Sequence, residues 1–155
     1  MLELSHDLDY LCWILGRPRS VSAWVGRVSD LEIDVEDSAF VLSEFELGDR
    51  QVCATVHLDF VRRDTVRVCE FVCEEGTLRW DAVADSLTLA RDGRVDTLVQ
   101  RDANGPDTYA RELRHFVRSM QEATPVLIPL SEGRMTLDVV EAVREAAEQR
   151  SWVSV

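Results

Sequence analysis

Short runs of strand-forming residues, separated by connections of only a few residues, fill the centre of the chain and restrict its fold more than any other feature. The runs alternate apolar and polar residues: SAFVLSEFEL, QVCATVHLDFV, TVRVCEFVCE, GTLRWDA, DSLTLAR and VDTLVQ. Turn-forming pairs separate several of them, at Gly48-Asp49, Glu75-Gly76, Ala84-Asp85 and Asp92-Gly93. Since parallel neighbours need a long crossover connection, we expect these strands to pair antiparallel.

Helical patterns flank this region. A first helix is predicted over about Glu3–Leu15 and ends at Gly16, a second begins near Pro106, and a third spans about Ser131–Gln149 before a final strand. The second helix is expected to face a core through apolar residues at helical spacing: Tyr109, Leu113, Phe116, Val117 and Met120. This pattern predicts a single α+β domain over residues 1–155, with an open, mainly antiparallel sheet and helices packed on one face.

Composition and residue patterns exclude several classes of protein. The formal net charge of -12 argues against a nucleic-acid partner, because binding to phosphates requires clustered cations. No apolar run is long enough to cross a membrane, and the first residues do not form a signal-peptide pattern. We therefore expect a cytoplasmic protein without a membrane partner.

Cysteine and glycine spacing indicates neither a metal site nor a nucleotide site. Cys12, Cys53, Cys69 and Cys73 lack zinc-binding spacing and are expected to be free thiols. The 7 glycines form no phosphate-binding loop, so no cofactor-binding residue is expected in this chain. The chain contains no lysine, which excludes a reaction that depends on a lysine of its own.

Three polar residues stand at helical spacing in the first predicted helix. Glu3, His6 and Asp9 can share one face, while Leu8 and Leu11 lie on another. Histidine titrates near neutral pH and a carboxylate one turn away can orient it, so this face is suited to moving a proton to or from a bound molecule. The spacing also fits a histidine that hydrogen-bonds locally and carboxylates favoured by the helix dipole.

Four stretches, in this order, resemble the C-terminal domain of the Gfo/Idh/MocA oxidoreductases: ELSHDLDYLCWILGRP, HLDFVRRDTVRVCEFVCEEGTLRWD, YARELRHFVRSM and PLSEGRMTLDVVEAVREAAEQRSWVSV. The resemblance covers nearly the whole chain. It implies an open antiparallel sheet, covered by helices, that supplies the substrate contacts and the oligomer interface. It also implies that NAD or NADP is bound mainly by an N-terminal Rossmann domain that is absent from these residues and carries the family's catalytic lysine.

The resemblance implies roles for individual residues. His6 matches the family's catalytic histidine, which acts near the reacting hydroxyl, and Asp9 matches an aspartate that contacts the sugar. Glu3 is a candidate substrate contact, because Leu2 stands where many members have an aspartate four residues before the histidine. Arg63 resembles an arginine of sugar-active members and is expected to bind substrate, although a surface ion pair is the more common role of such a residue.

The expected function is therefore that of a substrate-binding and oligomerisation domain of an NAD(P)-dependent sugar oxidoreductase, which transfers a hydride at a carbinol carbon. The domain is expected to be inactive without the Rossmann domain. Its expected partners are a sugar-type small molecule and further copies of itself, in a homodimer or homotetramer formed through the sheet face. The alternative is a non-catalytic domain that uses this face for dimerisation or for binding another protein.

Overall fold

The computed structural model describes residues 5–101 and 108–155, and these residues fall into two compact units. The first unit contains the chain up to Val61 and again from Pro125, and the second spans Arg62–Thr124. The described helices and strands follow in chain order: α1 (Ser5–Leu15), β1 (Ser20–Gly26), β2 (Ser38–Leu47), β3 (Arg50–Asp59), β4 (Val68–Cys73), β5 (Gly76–Asp81), β6 (Ser86–Arg91), β7 (Arg94–Gln100), α2 (Thr108–Glu122), α3 (Leu130–Gln149) and β8 (Val153–Ser154).

The first unit is built on a four-stranded antiparallel sheet with the strand order β3-β2-β1-β8. Side chains alternate between the two faces of a strand, and Val21 and Val41 lie on the face that α1 and α3 cover. Residues of both helices close the core over these strands: Leu8, Cys12, Val139, Val140, Ala142, Val143 and Ala146. Burial of this apolar surface is the main favourable term that holds α1 and α3 on the sheet.

The first helix ends at the predicted residue. Gly16 has a φ of 83°, a left-handed conformation that glycine adopts easily because it has no Cβ. Its backbone N–H donates a hydrogen bond to the carbonyl oxygen of Cys12 at 2.8 Å, which satisfies one of the last carbonyls of α1. The buried side chains of α1 are Leu8, Leu11 and Cys12, so the apolar face predicted from the spacing of the leucines packs on the core.

A buried carboxylate holds the connection between β1 and β2. Asp37 accepts hydrogen bonds from the Ser29 hydroxyl and from the backbone N–H groups of Val28 and Ser29. These bonds, chiefly that of the Ser29 hydroxyl, favour the charged carboxylate and lower the pKa of Asp37 against the opposing effect of burial. The backbone of Asp37 also bonds to Gly26 and Phe60, which ties this acidic connection to the ends of β1 and β3.

The second unit contains a four-stranded antiparallel sheet in the order β4-β5-β6-β7, and it also includes α2. Asp92 and Gly93 both have positive φ in the turn between β6 and β7, the backbone conformation that tight hairpins favour. A bulge between Leu87 and Thr88 interrupts the register with β7. Every residue of β7 is exposed, so this edge strand contributes little to the core of its unit.

The predicted fold class is confirmed: the strands are antiparallel, and helices pack on one face of a sheet. The strands are divided between two sheets, whereas the sequence analysis expected one. None of the helices in the described part of the chain has the length and apolar character needed to cross a membrane.

The expected core contact of the second helix is wrong for the described chain. The large apolar side chains of α2 that were expected to face a core are exposed: Tyr109, Leu113, Phe116, Val117 and Met120. Helical spacing of apolar residues predicts an amphipathic helix, but it does not specify what covers the apolar face.

Truncation of Leu8 tests the position of the core. Leu8→Ala is expected to lower the free energy of unfolding of the first unit by about 2–5 kcal/mol, because a buried leucine loses its contacts and leaves a cavity. Leu113→Ala makes the same truncation on the exposed face of α2 and is expected to change stability by less than about 0.5 kcal/mol. Urea unfolding followed by circular dichroism measures both changes. Equal losses from the two substitutions would contradict the assigned core.

Candidate functional site

The first helix carries His6 in its first turn and Asp9 one turn later. Its buried residues Leu8, Leu11 and Cys12 fix its orientation, so the other positions of the helix lie outside the core. His6 is exposed and Asp9 is half-buried. Helical residues three apart have Cβ atoms roughly 5–6 Å apart, so one small molecule can contact both side chains. The structure therefore brings together these two residues that the sequence analysis selected.

A hydrogen bond between helices holds the carboxylate of Asp9. The Thr136 hydroxyl on α3 donates to Oδ1 of Asp9 at 2.6 Å, and Thr136 itself is only 6% exposed. Thr136 is a residue of the candidate site that was not predicted from the sequence. One sequence signal could have identified it: Thr136 is a polar residue within the apolar face of α3, four residues before Val140 and seven before Val143.

A second polar contact joins the end of α1 to α3. Nη1 of Arg17, just beyond Gly16, lies 3.2 Å from Oδ2 of Asp138. Arg17 is exposed and Asp138 is half-buried, so solvent screens this pair and it contributes little to stability. The orientation of α1 therefore depends mainly on its buried apolar face and on the bond from Thr136 to Asp9.

Cys12 follows Asp9 by three residues and faces the core. Burial is the largest cause of a rise in the pKa of its thiol to about 11; the negative charge of Asp9 adds to the rise and Arg17 opposes it. The thiol is therefore protonated at neutral pH. A buried, protonated thiol is neither a nucleophile nor a metal ligand, so Cys12 takes no part in chemistry at His6.

The structure does not test the roles of the two other residues selected from the sequence. Glu3 lies outside the described residues. Arg63 lies in the connection between β3 and β4, belongs to the second unit and is exposed. The substrate-binding roles of Glu3 and Arg63 stay predictions.

The described glycines do not form the glycine-rich loop that holds the pyrophosphate of a dinucleotide coenzyme. A phosphate-binding loop places glycines immediately before the N-terminus of a helix. The described glycines lie instead in turns, at the ends of a helix or strand, or, in the case of Gly133, inside α3. Among residues 5–101 and 108–155, no group of three histidine, cysteine or acidic side chains is placed to hold a metal ion.

The face of the first sheet that points away from α1 and α3, called here the outer face, carries a row of aromatic rings. Trp24, Phe40 and His57 lie opposite one another on β1, β2 and β3. The rings of Phe40 and His57 are stacked with their centroids 4.1 Å apart, and the Trp24 ring lies 6.1 Å from that of Phe40. Trp24 is 49% and Phe40 50% exposed, so the row presents adjacent apolar rings to solvent.

The family of the chain follows from its sequence. A family model described as the oxidoreductase family, C-terminal alpha/beta domain, matches residues 1–155. The chain therefore belongs to the family of Gfo/Idh/MocA oxidoreductase C-terminal domains, which confirms the resemblance. No curated protein matches the chain in sequence.

Solved structures share the fold. UDP-N-acetylglucosamine 3-dehydrogenase GnnA from Acidithiobacillus ferrooxidans is 23% identical with a TM-score of 0.78, over 94% of this chain and 46% of that one. The WlbA dehydrogenase from Bordetella pertussis, in complex with NADH and UDP-GlcNAcA, is 17% identical with a TM-score of 0.75, over 99% and 43%. Aldose-aldose oxidoreductase from Caulobacter crescentus, complexed with glycerol, is 17% identical with a TM-score of 0.79, over 97% and 45%. These identities show the fold alone, and the chain spans less than half of each structure.

Proposed function

We propose that residues 1–155 act as the substrate-binding and oligomerisation domain of an oxidoreductase that transfers a hydride between a sugar carbinol carbon and NAD or NADP. The observation that carries the proposal is the exposed His6 on α1, one turn from the Asp9 carboxylate, in a chain of this family. One family model spans both compact units, which supports treating them as one functional domain.

The chemistry required of this chain is proton transfer. Oxidation of a carbinol breaks the O–H bond and the C–H bond while the C=O bond forms. Neutral His6 accepts the hydroxyl proton at a ring nitrogen, which lowers the barrier because the oxygen does not carry a full negative charge. Asp9 accepts a hydrogen bond from a neighbouring hydroxyl of the same sugar and so orients the sugar ring beside His6. Nicotinamide supplies the hydride acceptor when it is bound.

A sugar nucleotide is the substrate class that the structural neighbours favour. GnnA is named for UDP-N-acetylglucosamine, and the WlbA structure contains UDP-GlcNAcA. Carboxylates on a rigid element suit such a ligand, because they accept hydrogen bonds from several hydroxyls in a fixed geometry. Glu3 and Arg63 are proposed as further substrate contacts.

The coenzyme is proposed to be held mainly by a separate Rossmann domain. Support comes from the described glycines, which do not form a phosphate-binding loop, and from the NADH bound in the WlbA structure.

No metal is part of the proposed reaction. A cytoplasmic location fits the cysteines, all of which are free thiols: Cys12, Cys53, Cys69 and Cys73.

Replacement of His6 tests the proposed reaction. When the chain is supplied with a nicotinamide-binding Rossmann domain of the same family, it is expected to oxidise UDP-N-acetylglucosamine or a related sugar. His6→Gln is expected to lower kcat by about a hundredfold or more, because glutamine cannot accept the proton. The measurement is reduced nicotinamide absorbance over time.

The matched control is His115→Gln, which makes the same change at an exposed residue of α2 and is expected to leave kcat unchanged. Equal rates for the wild type and His6→Gln would contradict the proposed role of His6. Absence of oxidation with every sugar and both coenzymes would contradict the proposed function.

The outer face is proposed to join copies of this chain into a homodimer or homotetramer. Support comes from the exposed row of Trp24, Phe40 and His57, since aromatic residues are enriched at the energetic centres of protein interfaces. The same surface carries the second candidate function, a non-catalytic domain for self-association or for binding another protein.

Introduction of a negative charge at Phe40, the middle residue of the aromatic row, tests whether the outer face forms the oligomer interface. Phe40→Asp is expected to convert the oligomer to a monomer, because a carboxylate buried between two copies would have no partner. Light scattering coupled to size-exclusion chromatography gives the mass. Val72→Asp places the same charge on β4 at a residue that is 83% exposed, and it is expected to leave the mass unchanged. A wild-type chain that stays monomeric at high concentration would contradict self-association.

A further inference from the structure

Thr136 is a polar residue at a position where α3 otherwise contacts the core through apolar side chains. It is buried, and it shares the core-facing side of α3 with Val140 and Val143. A hydroxyl in such surroundings is costly unless it has a hydrogen-bond partner. Its partner is Asp9, which belongs to a different helix and is 127 residues away in the chain.

The hydroxyl has two acceptors within reach, and the geometry favours Asp9. Oγ1 of Thr136 lies 2.6 Å from Oδ1 of Asp9 and 3.4 Å from the backbone carbonyl oxygen of Glu132 in the preceding turn. A hydroxyl has one proton to donate, and a charged acceptor at short distance forms the stronger bond. The bond therefore joins α3 to α1, and the weaker contact within α3 is secondary.

We infer that Thr136 is a positioning residue, which fixes the side-chain conformation of Asp9 so that its second oxygen, Oδ2, is held ready for a substrate hydroxyl beside His6. The inference rests on the proposed function, in which Asp9 contacts the substrate. Thr136 itself is buried and acts only through Asp9. A carboxylate that is already ordered loses less conformational entropy on binding, so the bond favours affinity.

A second observation agrees with this geometry. Burial is the largest cause of the raised pKa of the Cys12 thiol, and the negative charge of the nearby Asp9 adds to the rise. In surroundings of low dielectric constant, a hydrogen bond to a charged group is stronger than in water. The 2.6 Å bond from the buried Thr136 hydroxyl to the half-buried Asp9 therefore favours the side-chain conformation in which the two groups meet.

Two substitutions at Thr136 separate the hydroxyl from the shape of the side chain. Thr136→Val keeps the volume and removes the donor, whereas Thr136→Ser keeps the donor. Three-bond couplings measured by NMR report the χ1 angle of Asp9 in each protein. We expect one χ1 conformer in the wild type and in Thr136→Ser, and averaging between conformers in Thr136→Val. An unchanged single conformer in Thr136→Val would overturn the inference.

The wild-type chain provides a measurement that does not depend on a folded variant. A hydroxyl proton held in a short bond to a carboxylate exchanges slowly with water. We expect a resolved signal for the Thr136 hydroxyl proton with a cross-peak to the β protons of Asp9. Absence of this cross-peak would overturn the inference, even if Thr136→Val does not fold.

Binding of UDP-N-acetylglucosamine, measured by calorimetry on the 155-residue chain, tests the consequence. Thr136→Val is expected to weaken binding about three- to tenfold, and Thr136→Ser to restore it. Thr108→Val, an exposed control on α2, is expected to have no effect. Equal affinities for the wild type and Thr136→Val would overturn the positioning role. A wild type that does not bind the probe, together with the expected χ1 result, would contradict the proposed substrate class and support the positioning of Asp9.

Discussion

The packing of α1 against α3 and the first sheet is the interaction on which the rest of the proposed site depends. Leu8 and Cys12 enter one apolar cluster with Val21, Val139 and Val143. The 3.6-residue period of the helix then places His6 outside this core. The stabilisation that burial provides is roughly proportional to the apolar area removed from water. This apolar face therefore fixes the rotation of α1 more firmly than the solvent-screened ion pair of Arg17 and Asp138 does.

This arrangement separates the two tasks that we propose for the first sheet. The inner face carries the core and, above it, the helix that presents His6 and Asp9. The outer face carries the exposed row of Trp24, Phe40 and His57, through which we propose that copies of the chain associate. Alternation of side chains along β1 and β2 produces this separation directly, since consecutive residues point to opposite faces. A substitution in the row can therefore change assembly without touching the inner face.

Much of the fold could be predicted because its signals are local. Strand β2 has the predicted bounds, Ser38–Leu47, and α1 ends before Gly16, where turn chemistry decides the boundary. The division of the strands between two sheets could not be predicted, because strand pairing beyond adjacent hairpins depends on long-range contacts. The exposure of the apolar face of α2 could not be predicted for a similar reason. Helical periodicity defines an apolar face, but it does not specify which residues pack on that face.

The site was predictable only in part. The spacing of His6 and Asp9 on one helix is a local signal, and the family resemblance adds their roles. Thr136 lies 127 residues from Asp9 in the chain, so no local pattern connects them. The aromatic row on the outer face required the strand register, which aligns Trp24 with Phe40 and Phe40 with His57.

The rate at which a thiol reagent labels Cys12 in the native protein tests the packing of α1 most directly. If α1 is packed on the core, Cys12 reacts only when the first unit unfolds, so that its labelling rate increases with urea in parallel with that unfolding. Cys53 and Cys73 are exposed and should react at once, which makes them internal standards in the same sample. Mass spectrometry of the labelled peptides distinguishes the three. Labelling of Cys12 as fast as that of Cys53 in the absence of urea would contradict the packing of α1 on the core.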